Sequence, residues 1–155
     1  MECDWGELTV EVTETAKTPW ILVYGWDGER GNWQEFEKFL NKRRIPYDIV
    51  EFKGDANPKK RMKWLDKEIE ERIKKDHPDW NWEKFNLVGH SQGGLDARAY
   101  IYDKWGEEGT PDVQNLVMIG TPNHGSALAR LPFVNAPWLT PGEVKKFNRD
   151  TPKNG

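Results

Sequence analysis

Apolar residues along this chain follow two rhythms that take turns. Trp20 to Tyr24, Tyr47 to Phe52, Phe85-Asn86-Leu87-Val88 and Val113 to Ile119 are short, nearly continuous apolar runs, as expected of strands buried on both faces. Between them the spacing lengthens to three or four. Phe36, Phe39 and Leu40 share one face of a helix that the capping pattern Asn32-Trp33-Gln34-Glu35 opens. Met62, Leu65, Ile69 and Ile73 line a second helix, begun by Asn57-Pro58 and ended by His77-Pro78. Leu95 to Tyr102 reads as a third, Thr140-Pro141-Gly142-Glu143 starts a short last one, and Leu8-Thr9-Val10-Glu11-Val12 alternates like an edge strand. Strand and helix in turn predict an α/β fold: a mostly parallel sheet with helices on both faces and its site at the carboxyl ends of the strands.

One strand-to-helix junction carries chemistry. The run Phe85-Asn86-Leu87-Val88 leads straight into Gly89-His90-Ser91-Gln92-Gly93 and then into the helix from Leu95. This is the context of a nucleophile elbow, in which glycines two positions either side of the serine remove the Cβ atoms that would block so tight a turn. Ser91 is therefore expected at the end of a central strand with unusual φ and ψ, its hydroxyl facing an open cleft beside Trp26. The topology also sorts the histidines. His77 belongs on the opposite edge of the sheet, His90 neighbours the serine but packs beneath the elbow, and His124 alone shares the edge of Ser91. Asp27, Glu29 and Asp55 are the acids on that edge. Asp96 and Arg98 sit one turn into the elbow helix, as a buried pair or a solvated one.

Two further segments accompany the elbow: Trp20-Ile21-Leu22-Val23-Tyr24-Gly25-Trp26-Asp27-Gly28, and Leu116-Val117-Met118-Ile119-Gly120-Thr121-Pro122-Asn123-His124-Gly125-Ser126. Together the three resemble the bacterial and archaeal lipases and esterases of the α/β-hydrolase superfamily, over about residues 18 to 155. The resemblance implies hydrolysis of carboxylic esters, with an ester or lipid as substrate and no cofactor or metal. It assigns attack to Ser91, an oxyanion hole to the backbone N–H groups of Trp26 and Gln92, and the elbow to Gly89, His90 and Gly93. Tyr24 departs from the pattern, standing where the family has histidine. The resemblance also makes His124 structural, leaving it a weak candidate for the base.

In that family the triad runs serine, acid, histidine, with the last two on strands beyond the Thr-Pro-x-His-Gly segment. Here Gly155 follows soon after the Thr140 to Pro152 region, so the expectation is a single domain over 1–155 that is C-terminally incomplete. The alternative to an ester hydrolase is then a non-catalytic scaffold, a truncated or engineered hydrolase core without its acid and base. Missing strands would also leave one sheet flank uncovered, to be met by a second copy or shown as apolar surface.

Composition narrows the remaining classes. A net charge of −3 gives no electrostatic case for nucleic acid, and the clusters Lys42-Arg43-Arg44 and Lys59-Lys60-Arg61 read as solvated helix ends. No glycine-rich phosphate loop follows the first buried strand, which removes a nucleotide-binding reading. Cys3 is the single cysteine, so an internal disulfide is impossible. The start Met1-Glu2-Cys3-Asp4 does not look like a signal peptide, and no apolar run spans a membrane, which leaves a cytoplasmic or mature form. The chain has nine tryptophans. Trp33, Trp64 and Trp105 fall in helical patterns that burial explains, while Trp5, Trp80, Trp82 and Trp138 are assigned to partial core and loop packing rather than to a lipid-binding surface.

Overall fold

Four parallel strands form one sheet in the computed structural model, which describes residues 17–52, 54–108 and 112–151. They are β1 (Trp20–Val23), β2 (Tyr47–Ile49), β3 (Phe85–His90) and β4 (Val113–Ile119), in the order β2-β1-β3-β4. Leu22 pairs with Ile49 on one side and Val88 on the other, so β1 and β3 occupy the centre. That position explains their composition. Ile21, Leu22, Val23, Leu87 and Val88 are all buried, and burial of each such side chain contributes about 1.5–3 kcal/mol.

The pleat splits these residues between two cores. Ile21, Val23, Phe85 and Leu87 face one core, with Met62, Leu65, Ile69, Ile73, Leu95 and Phe147. Leu22, Tyr24 and Val88 face the other, with Trp33 and Leu40. Helices therefore lie on both faces: α1 (Gln34–Lys42) on one, and α2 (Pro58–Lys67), α4 (Gln92–Glu108) and α5 (Pro141–Asp150) on the other. The predicted α/β architecture holds. The edge strand expected over Leu8 to Val12 lies outside the described residues, as do Trp5 and the side chain of Trp105.

Three local details differ from the sequence reading. Helical structure begins before Asn32, in a 3-10 turn (Arg30–Trp33), and the Asn32 side chain accepts from the Glu29 N–H at 2.8 Å. Asn32 thus closes the first turn rather than opening the helix. The helix opened by Asn57, whose Oδ1 accepts from the Lys60 N–H at 3.0 Å, passes through a π-helical stretch (Glu68–Ile73) before ending in α3 (Lys74–Asp76). There Arg72 reaches Glu68, Asp48 and the Ile49 carbonyl, tying the wide turn to β2. The third concerns Arg61, which is not a solvated helix end: it is 1% exposed.

Among the described residues, four of the tryptophans named above behave as packing residues. Trp33 is buried, and Trp80, Trp82 and Trp138 pack partly buried against the larger core. The β4 flank is apolar, with Val117, Met118 and Ile119 exposed to 40, 41 and 43%. Val117 pairs with Val88, so the face buried in β3 continues uncovered onto β4. Among the described residues, no helix is long and apolar enough to cross a membrane.

Candidate functional site

Ser91 sits between the last residue of β3 and the first of α4 with φ at +54°. A left-handed conformation costs an L-residue about 1–2 kcal/mol, so the surroundings must impose it. They do so from both sides. The Ser91 N–H donates to the Ile119 carbonyl of β4 at 2.8 Å, and its carbonyl accepts from the Gly94 N–H at 3.2 Å. Gly93 lies so close to the end of β1 that a Cβ there would collide with the Val23 carbonyl oxygen. The side chain of Ser91 remains partly exposed.

The loop leaving β1 closes over the same point. A Cβ on Gly25 would lie 2.7 Å from the Ser91 Cβ and 2.9 Å from the Gln92 nitrogen, so only glycine lets this backbone approach the elbow. Beyond it, the Gly28 N–H donates to the Gly25 carbonyl at 3.3 Å across a turn in which Asp27 adopts φ +51°. Trp26 occupies this turn. The loop is anchored by the Asp27 N–H, which donates to Asp55 Oδ1 at 3.1 Å.

Tyr24, the residue that departs from the family pattern, is well accommodated. It is buried, its hydroxyl accepts from the Phe52 N–H at 2.9 Å, and its ring meets Phe52 edge-on at 5.4 Å. The Tyr24 carbonyl takes a bond from Arg61 Nη2 at 2.5 Å.

Arg61 is the residue that sequence reasoning missed. Its Nε donates to Asp96 Oδ2 at 2.7 Å, its Nη1 lies 3.7 Å from Asp55 Oδ1, and its guanidinium stacks 3.8 Å over Phe52. A signal existed in the spacing. Arg61, Leu65, Ile69 and Ile73 fall every four residues on the buried stripe of the helix. Asp96 accordingly pairs with Arg61 and not with Arg98, since residues two apart on a helix point to different faces. Arg98 instead donates to Asn123 Oδ1 at 3.0 Å, to Asn148 Oδ1 at 2.9 Å and to the Thr151 carbonyl at 3.2 Å. It clamps the Thr-Pro-x-His-Gly loop to α5, and its burial lowers its pKa.

Burial pushes the Asp96 carboxyl up to about 7, with Arg61 pulling the other way. The sign of the consequence is definite. Between the ordinary carboxylate range and about 7, the folded chain holds a proton that the unfolded chain has lost. This group's contribution to stability therefore falls by about 1.4 kcal/mol per unit as pH rises through that window, and levels off above it. Urea unfolding of wild type and Asp96→Asn from pH 4.5 to 8 should show that portion of the slope missing in the variant. Parallel slopes would contradict it.

The remaining predicted residues are dispersed. His77 is at the opposite edge, 3.1 Å from Asp48 and stacked on Trp80 at 3.8 Å, as expected. His90 does not pack beneath the elbow: its side chain is exposed and meets Trp33 edge-on at 6.2 Å, because the strand alternation turns it toward the α1 face. His124 is exposed on its loop. Asp27, Glu29 and Asp55 line a cleft of about 380 Å³ with Asn32 and Phe52, beside the β1 loop. Among the described residues the histidine–carboxylate pair is His77 with Asp48, away from Ser91.

Known proteins share this fold. The Bacillus licheniformis lipase BlEst2 in its mature form superposes with a TM-score of 0.74 at 23% identity, over 94% of this chain and 64% of that one. The phospholipase PlaB of Legionella pneumophila superposes at 0.71 with 18% identity, over 90% of this chain and 34% of that one. In sequence, triacylglycerol lipase 2 of Saccharomyces cerevisiae is 29% identical over 97 residues, which is 63% of this chain and 29% of the yeast protein. The chain thus spans under a third of the yeast relative and just under two thirds of the Bacillus lipase. The sequence pattern of one family, described as alpha/beta hydrolase of unknown function (DUF915), matches residues 35–131. A parallel sheet with this elbow, lipase-like relatives and that match lead to one conclusion: the chain belongs to the DUF915 family of α/β-hydrolases.

Proposed function

We propose that this hydrolase cleaves carboxylic esters, lipids included, with Ser91 as nucleophile. The observation that carries the reading is the strained elbow itself: Ser91 at φ +54°, with the Gly25 backbone packed on its Cβ. In this reading Ser91 Oγ attacks the ester carbonyl carbon, and the carbonyl oxygen takes up the negative charge. The backbone N–H groups of Gln92 and Trp26 hold that oxyanion, each donor contributing on the order of 3 kcal/mol. Collapse of the adduct expels the alcohol, which takes up the proton the serine gave to the base, and leaves an acyl-serine for water to release.

A serine hydroxyl needs a base to take its proton and an acid to orient that base. The contact of His77 with Asp48, and the exposure of His124, favour a second reading as a non-catalytic scaffold. A fluorophosphonate probe, which reacts only with an activated serine, separates the two. The hydrolase reading expects labelling that Ser91→Ala removes and His124→Ala leaves intact. No labelling at all supports the scaffold, and loss of labelling in folded His124→Ala would make that histidine the base.

Self-association is part of the same proposal, through a second copy covering the exposed Val117, Met118 and Ile119 of β4. Sedimentation showing a monomer at all concentrations would remove it.

A further inference from the structure

Two neighbouring residues of the loop between β2 and α2 each hold a group beside one of the proposed oxyanion donors. Asp55 Oδ1 accepts from the Asp27 N–H at 3.1 Å, one residue from the Trp26 N–H. The next carbonyl, Ala56 O, accepts from Gln92 Nε2 at 2.6 Å. Gln92 is fully buried, and its Oε1 takes a second bond from Trp138 Nε1 at 2.9 Å. Those two bonds anchor its side chain, and with it the first residue of α4, whose backbone amide is the proposed donor. The donor on β1 has less support. Asp27 adopts φ +51° in a solvent-facing turn, which is a conformation that persists only when something outside the turn imposes it.

We infer that Asp55 is a positioning residue for ester hydrolysis: together with Ala56 it braces the Trp26 and Gln92 amides at the spacing an oxyanion requires. The inference rests on the reading of those two amides as the oxyanion donors. Chemically the demand is strict, because donors act only when preorganised about 2.7–3.1 Å from the position of the oxyanion. The brace supplies that order from a short segment, residues 55–56, that touches both donors' neighbours. Arg61 completes the frame on the β1 side by holding the Tyr24 carbonyl, one residue before Gly25, and approaching Asp55 at 3.7 Å. A loosened Trp26 turn leaves ground-state binding of the ester largely unchanged and weakens the hold on the transition state, so the effect belongs in kcat and not in KM.

The test uses Asp55→Ala and Asp55→Asn in the full chain, with Ser91→Ala as the reference for Ser91-dependent turnover of a short-chain aryl ester. The Asp55 side chain is 36% exposed, so both variants are expected to fold, which circular dichroism and thermal midpoints check. Outright removal of an oxyanion donor costs about 10²–10³-fold in kcat, so loosening one should cost about 10- to 100-fold, with KM within about threefold. Asn keeps an acceptor oxygen in the same place without the charge, and Asp55→Asn should recover kcat to within about threefold of wild type. Three results overturn the inference. One is Asp55→Ala with wild-type kcat while Ser91→Ala is inactive, and a second is Asp55→Asn as impaired as Asp55→Ala, which would assign the effect to charge. The third is equal turnover by wild type and Ser91→Ala, which marks failure of the Ser91 reading itself and takes the inference with it.

Discussion

Ser91→Ala is expected to abolish hydrolysis of short-chain aryl esters, with a fall in kcat that approaches the order of a million-fold. The size follows from what the hydroxyl does in the proposed mechanism: without it no acyl intermediate would form, and the two proposed backbone donors would be left to polarise a carbonyl that nothing attacks. Alanine keeps the Cβ that packs against Gly25, so the elbow should survive the change. Stability and the circular dichroism spectrum are expected to match wild type, which makes the comparison one of chemistry alone. Initial rates for the two proteins, measured at equal concentration across several acyl chain lengths, check the expectation. Equal rates would refute catalysis at Ser91.

Arg61→Ala is expected to produce the largest loss of stability, about 3–5 kcal/mol near pH 8. The guanidinium sits between Asp96, which is fully buried, and the carbonyl of Tyr24, and its removal leaves a buried carboxylate with no compensating charge. A protonated carboxyl escapes most of that penalty. Since Arg61 holds the Asp96 pKa down, the variant should favour the neutral acid over a wider range, and its deficit should shrink toward pH 5. Urea midpoints at pH 5 and pH 8, with an unchanged m value, are the measurement. Arg61→Lys should recover only part of the loss, because one ammonium cannot serve Asp96, the Tyr24 carbonyl and Asp55 together. A deficit below about 1 kcal/mol at pH 8 would show that the pair contributes little beyond its own desolvation.

The parts of this molecule legible in its sequence are those decided by neighbours along the chain. Apolar runs became the strands, the three-to-four spacing of Met62, Leu65, Ile69 and Ile73 became the buried face of a helix, and Asn57-Pro58 marked its start. The elbow belongs with them in part, because Gly89 answers a local steric demand, a Cβ there meeting the backbone of Gly94, while Gly93 answers the close approach of β1. Asp96 and Arg98 mark the opposite limit. Both are charged and near in sequence, yet Asp96 reaches a partner 35 residues away and Arg98 reaches others 25 to 53 residues away.

Sequence by itself determined the α/β alternation, the placing of Ser91 at a strand end, and the separation of His77 from it, since period, punctuation and strand direction are properties of the chain read in order. Only the tertiary structure decided that Arg61 is buried, that Tyr24 is held by Phe52 and Arg61, that His90 faces Trp33, and that residues 55 and 56 reach both the β1 loop and the start of α4 beside Ser91. The physical reason is that the worth of a polar group depends on the dielectric and the partners around it. Those are set by segments brought together from far along the chain, and no local pattern encodes them.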